Sequence, residues 1–295
     1  MFHICIPYCK LDTIYNSNQA YRWVKVSNND YIICHKDKIV RVKQNKDNLL
    51  FSCNEEEFYN TWYMYFDMNR DYAKLHYMYR SMGCDIDDEI KIYCNRANGI
   101  HVLNQDSQMI VIASILESIC EDYNIAKGMI YDLCMHCGKK RKNSLNGNVI
   151  IWYEFPTIEQ MIKKARKSFV YEYIEDFIMD VKDGWFDFGL LNTLSGRDLY
   201  DYLLEFDYID SICASKILLS SFGCIDLLPL DKDIKKILDK DFKMDYNEFI
   251  EVYTDGEVKY FEYLGYLYYV MKYNYYNPVK KQNKKEELIW EKVNY

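Results

Sequence analysis

The sequence predicts an α+β protein, with a small N-terminal antiparallel β domain ahead of a mostly α-helical body. Three observations carry this. Up to about residue 75, β-branched and aromatic residues cluster between short polar breaks, as strands joined by turns do. From residue 88 onward apolar residues recur at spacings of three and four, the helical period. Of the 295 residues 49% are apolar and only four are Pro, so the chain is folded and can bury a core sufficient for one or two domains.

In order, the β-rich part holds "AYRWVKV", "DYIICHKDKIVRVKQ" and "NLLFSC", with "SNND" and "QNKD" as turns. Helices are predicted over "DEIKIYCNRA", "QMIVIASILESICEDYNIAKGMIYDLC", "TIEQMIKKARK", "YEYIEDFIMDVKD" and "GRDLYDYLLEF". "GKKRKNSLNGNVI", residues 138–150, is polar and reads as an exposed loop. "FEYLGYLYYVMKYNYY" is a further helix, apolar enough to pack centrally, and the tail "KKQNKKEELIWEKVNY" is charged and partly mobile. The expected domains are 1–90, 91–277 and a tail from 278 to 295. No internal repeat is present.

The formal charge is −8 and the pI near 5.3, which weighs against a chain built mainly to grip phosphates. Eleven acids between residues 171 and 210 face only Lys182 and Arg197, whereas Lys139 to Lys142 and Lys163 to Lys167 form basic runs. The eleven Cys follow no regular spacing. No signal peptide or membrane-crossing stretch is recognisable, so a cytoplasmic protein with reduced thiols is expected. Cys134, His136 and Cys137 in "CMHC" lack a companion pair at zinc spacing and are read as ordinary side chains. No metal and no cofactor are expected.

Four segments in order resemble the 8-oxoguanine DNA glycosylases of the helix-hairpin-helix superfamily. "NQAYRW" is similar to the family's "GQxFRW", and "GIHVLNQDSQMIVIASILESICEDYNIAKG" to its "GIRxLxQDPxExLxSFIxSxNNNIxRI". "YEFPT" resembles "xxFP", and "LLPLDKDI" resembles "xxPVDxHV", which carries the catalytic Asp. The resemblance covers most of the chain. It implies a six-stranded type of sheet packed on helices around a groove, double-stranded DNA with a damaged base as partner, and a flipped purine whose glycosidic bond is broken.

Residue by residue, the resemblance places the family's carboxylate at Asp231, which on its own terms is also a good N-cap for the apolar helix after it. The family's "LPGVGxKxA" hairpin corresponds to "EFDYIDSICASKILL", with Ile212 where the Schiff-base Lys belongs. Lys216 lies one helical turn further on, about 5.4 Å away; as a plain residue it reads as a solvated or snorkelling side chain. Asp207 and Asp210 replace the glycines that approach a DNA phosphate, a change that weakens the grip. Base or DNA contacts are implied for Asn124, Tyr123 (as a wedge), Asn18, Gln19, Arg22, Lys127, Tyr268 and Lys272. Lys272 stands where the family stacks an aromatic, a task open to Tyr268, Tyr269 or Tyr273.

Three readings follow. One is a DNA glycosylase in base excision repair that uses Asp231 and has no lyase step. Another is a catalytically silent binding or regulatory protein whose acidic face takes a basic protein partner. The third is a bifunctional glycosylase/lyase that recruits Lys216.

Overall fold

The computed structural model describes residues 1–80, 87–145, 147–164, 168–254 and 263–278. Five strands form the N-terminal sheet: β1 (Phe2–Cys5), β2 (Trp23–Ser27), β3 (Asp30–His35), β4 (Lys38–Asn45) and β5 (Asn48–Phe51). Their spatial order is β1-β5-β4-β3-β2, every neighbour antiparallel. The α+β class holds. The sheet has five strands rather than the six expected, and the first 75 residues are less uniformly β than their composition implies. α1 (Leu11–Tyr15) follows β1, while α2 (Glu55–Glu57), a π-turn (Phe58–Trp62) and α3 (Tyr63–Tyr65) follow β5. Asn54 starts that second helical stretch by accepting the Glu57 amide, and three Glu in the first turn suit the positive end of a helix.

The body comprises α4 (Tyr72–Arg80), α5 (Asp87–Arg96), α6 (Ser107–Cys120) and α7 (Tyr123–Cys137), then a hairpin of β6 (Lys140–Leu145) and β7 (Asn148–Tyr153). α8 (Ile158–Lys164), α9 (Tyr171–Asp183), α10 (Phe188–Leu191), α11 (Gly196–Leu203) and α12 (Ser211–Ser221) come next. α13 (Lys232–Ile237), α14 (Tyr246–Thr254) and α15 (Leu264–Tyr276) complete it. The 138–150 segment is thus a hairpin and not a loop. Gly147, at φ +81, makes its turn, and Ile150 and Trp152 anchor it on Ile39 of the sheet. The charged tail beyond Pro278 lies outside the described residues.

Three larger apolar cores hold the described parts together. One fills the sheet and the 58–66 helical turn, another lies among α6, α7, α9, α11 and α12, and the third joins α4 and α5 to α13 and α15. α15 lies at the centre, as its composition predicts. Gly265 lets it approach: a Cβ there would stand 2.3 Å from Leu219 Cδ1 and 3.1 Å from Ile225 Cα. Among the described residues no helix is long and apolar enough to cross a membrane.

Candidate active site

Four helices converge on one cleft. α12 begins at Asp210, whose Oδ1 accepts the Cys213 amide at 2.7 Å; its first turn brings Ile212 to the cleft, and the next brings Lys216 on the same face. α13 begins at Asp231, whose Oδ1 accepts the amides of Asp233 (3.1 Å) and Ile234 (3.0 Å). α15 contributes Tyr268, Lys272 and Tyr276 at intervals of four, and the otherwise apolar α6 contributes Glu117.

These side chains form an alternating chain of charge: Glu117, Lys216, Asp231, Lys272, Asp233. Lys216 Nζ lies 2.9 Å from Glu117 Oε1 and 3.3 Å from Asp231 Oδ2. Lys272 Nζ lies 3.0 Å from Asp231 Oδ2 and 2.6 Å from Asp233 Oδ2. Tyr268 donates to Asp231 at 2.8 Å, Tyr276 donates to Asp233 at 2.6 Å, and Tyr21 donates to Glu117. Burial alone would raise the Asp231 carboxyl. The ammoniums of Lys272 and Lys216, the Ile234 amide and the Tyr268 hydroxyl outweigh it and hold the group well below the usual carboxylate range. Burial likewise works against the charge on Lys216, but Glu117 and Asp231 raise its pKa; Asp231, Glu117 and Asp233 raise that of Lys272. The site is therefore an ionised carboxylate between two protonated amines. The space left beside it is small, about 130 Å³, with Tyr123 and Ile212 on the walls and a Lys232–Glu121 pair (3.0 Å) at the rim.

This arrangement sits in a recognisable fold. Residues 4–109 match the family model for the N-terminal domain of 8-oxoguanine DNA glycosylase. The chain superposes on MBOgg1 in complex with a low-affinity DNA ligand at TM-score 0.78 and 24% identity, covering 93% of this chain and 94% of that one. Its fold and N-terminal domain are of the 8-oxoguanine DNA glycosylase type. The Clostridium acetobutylicum 8-oxoguanine glycosylase/lyase, in complex with double-stranded DNA containing cytosine opposite 8-oxoG, matches at TM-score 0.77 and 23% identity, over 90% of this chain and 91% of that one. A 3-methyladenine DNA glycosylase from Archaeoglobus fulgidus matches at 0.68 and 15%, over 93% and 98%. No curated protein matches the sequence.

Within this glycosylase-type fold the expected site residues separate into groups. Asp231, Lys216, Lys272 and Tyr123 line the cleft, with Tyr268 directly behind. Lys216 is not the solvated or snorkelling side chain its sequence context implied: it is 9% exposed, because two carboxylates draw it inward. Lys272 cannot stack a base; its ammonium is committed to Asp231 and Asp233, and Tyr268 and Tyr269 are buried. Tyr123 does not project as a wedge, being 4% exposed against the Tyr21 ring.

Asn124, Arg22 and Lys127 line a different groove of about 520 Å³ between the sheet, α7 and the β6–β7 hairpin. Burial lowers the Lys127 pKa to about 8. Gln19 is structural: Nε2 donates to Ser17 Oγ and to the His101 carbonyl, and Oε1 accepts the Leu103 amide. Asn18 turns the chain at φ +61. Among the described residues no group of His, Cys, Asp and Glu could hold a metal ion. Cys134 and Cys137 are buried, and His136 Nδ1 lies 3.2 Å from Asp132.

Sequence reasoning missed Glu117, Asp233 and Tyr276. Glu117 carried one signal, a lone acid in an apolar helical run. Asp233 and Tyr276 carried none, since their partners are 39 and 43 residues away.

Proposed function

We propose that this chain is a DNA glycosylase of the 8-oxoguanine type that hydrolyses the glycosidic bond of a damaged purine flipped from duplex DNA. One observation carries the reading: in a glycosylase-type fold, an ionised Asp231 stands at a helix start and borders a cleft between two ammoniums. As the C1′–N bond lengthens, positive charge develops on the sugar, and a carboxylate already in place opposes it without reorganising. Water then adds at C1′, and the proton it gives up balances the base, which leaves with the bonding pair. The cleft is smaller than the roughly 300 Å³ at which ligand pockets usually begin, so entry of a base requires lining side chains to shift. Base release from an 8-oxoguanine duplex tests the reading: the native chain releases base, and Asp231→Asn slows release on the order of 10² to 10³-fold. No release by the native chain from any damaged duplex sinks it and favours a silent binding protein.

The 3.3 Å approach of Lys216 Nζ to Asp231 favours a second reading, a lyase step through Lys216. The deprotonated amine would add to C1′ and displace the base, and the C1′–O4′ bond would then open to leave an imine. Because its neighbours hold Lys216 protonated, borohydride trapping on abasic duplex should rise steeply with pH in the alkaline range and vanish in Lys216→Met. Trapping that is flat with pH rules Lys216 out.

A further inference from the structure

Resting on the glycosylase reading above, we infer that the cleft at Asp231 is built for purines that carry a positive charge, alkylated at a ring nitrogen, in preference to the neutral 8-oxoguanine. Five acidic side chains line it, Glu117, Glu121, Asp210, Asp231 and Asp233, against three basic ones, Lys216, Lys232 and Lys272. Each Lys is already taken up: Lys216 by Glu117 and Asp231, Lys272 by Asp231 and Asp233, Lys232 by Glu121. Among the described residues no basic side chain pairs with Asp210, whose other oxygen accepts only from Ser118 at 3.4 Å. Two negative charges therefore remain in excess where a base would enter.

The aromatic faces point the same way. The Lys272 ammonium lies 5.4 Å from the ring centre of Tyr276 and 5.7 Å from that of Tyr268, so the wall already holds a cation against tyrosine. Tyr276 lines the cleft and is 40% exposed, so a cationic ring stacked on its open face gains the same attraction while Lys272 keeps its place. The chemistry also suits it. When C1′–N9 breaks, the bonding pair moves into the purine and cancels its positive charge, so the base departs neutral without a proton donor. Water then bonds to C1′ and its proton passes to bulk water, while the Asp231 carboxylate stays ionised.

The test compares release of 7-methylguanine and 8-oxoguanine by the full chain from duplexes identical elsewhere, each corrected for loss without protein. We expect 7-methylguanine to leave at least about tenfold faster, and the Asp210→Asn/Glu121→Gln double variant to narrow that ratio several-fold. Both substitutions keep a polar side chain, and Asn still caps α12. A melting curve confirms that the variant is folded, and single Glu121→Gln serves if the double is not. Release of 8-oxoguanine as fast as 7-methylguanine, or a ratio unchanged in a folded variant, overturns the preference while leaving the glycosylase reading intact. Release of neither base overturns both.

Discussion

At the scale of residues, the five-membered chain from Glu117 to Asp233 decides how this protein responds to change. Removing one member of a buried ion pair strands its partner, at a cost of about 3–5 kcal/mol, whereas removing two opposite charges together is far milder. Lys272→Met should therefore destabilise the fold by about that amount in urea unfolding, and Lys272→Met/Asp233→Asn should recover part of the loss. The pH dependence has a definite sign. The folded Asp231 pKa lies below its unfolded value, so its contribution is present above about pH 4 and lost as pH falls further. The folded Lys272 pKa lies above its unfolded value, so its contribution persists below about pH 10 and is lost as pH rises through the folded value. Asp231→Asn should flatten the acid limb of a stability profile while keeping the cap on α13. Asp231 was legible in the sequence as a cap, which the structure shows, and as a carboxylate only through the family resemblance. Its surroundings were not, because no local pattern says which distant Lys will face it.

At the scale of elements, the turn between α11 and α12 is where a helix cap bears on the proposed DNA contact. Asp210 caps α12 with the amide interaction an incoming phosphate would otherwise use. Asp210→Asn should leave the melting temperature nearly unchanged and tighten binding to undamaged duplex several-fold at low salt, the gain fading as salt rises. Fluorescence anisotropy across a salt series reads both. α15 has no such slack at its start: Gly265→Ala brings a methyl against Leu219 and the Ile225 backbone, which should cost about 1–3 kcal/mol by overpacking. Most helices of the body were legible from their period, whereas α4, α10 and α14 were not singled out. The β6–β7 hairpin was not, because polar Lys140 to Ser144 mask a strand whose partner supplies the apolar face.

For the whole molecule, sequence order sufficed for the α+β layout, since successive β-rich and helical stretches pack as neighbours. The joining of its cores was hidden. α4, α5 and residues 97–102 pack with α13 and α15 across more than a hundred residues, and only long-range folding shows which apolar faces meet. Charge is divided on the same scale, with acids dense over α9 to α11 and bases on β6 and at the end of α8. If the basic face carries the DNA contact, log affinity against log salt should have a shallow slope, near the few phosphates that face can reach. Charge reversal at Lys140 and Lys142 should flatten that slope further.

Ten of the thirteen residues of α15 are buried, and Lys272 is among them. The counter-ion of the proposed reaction centre thus shares one rod with the structural keel of the protein. A lineage that drifts at this position must re-engineer its interior in the same step, so innovation in chemistry here is tied to architecture.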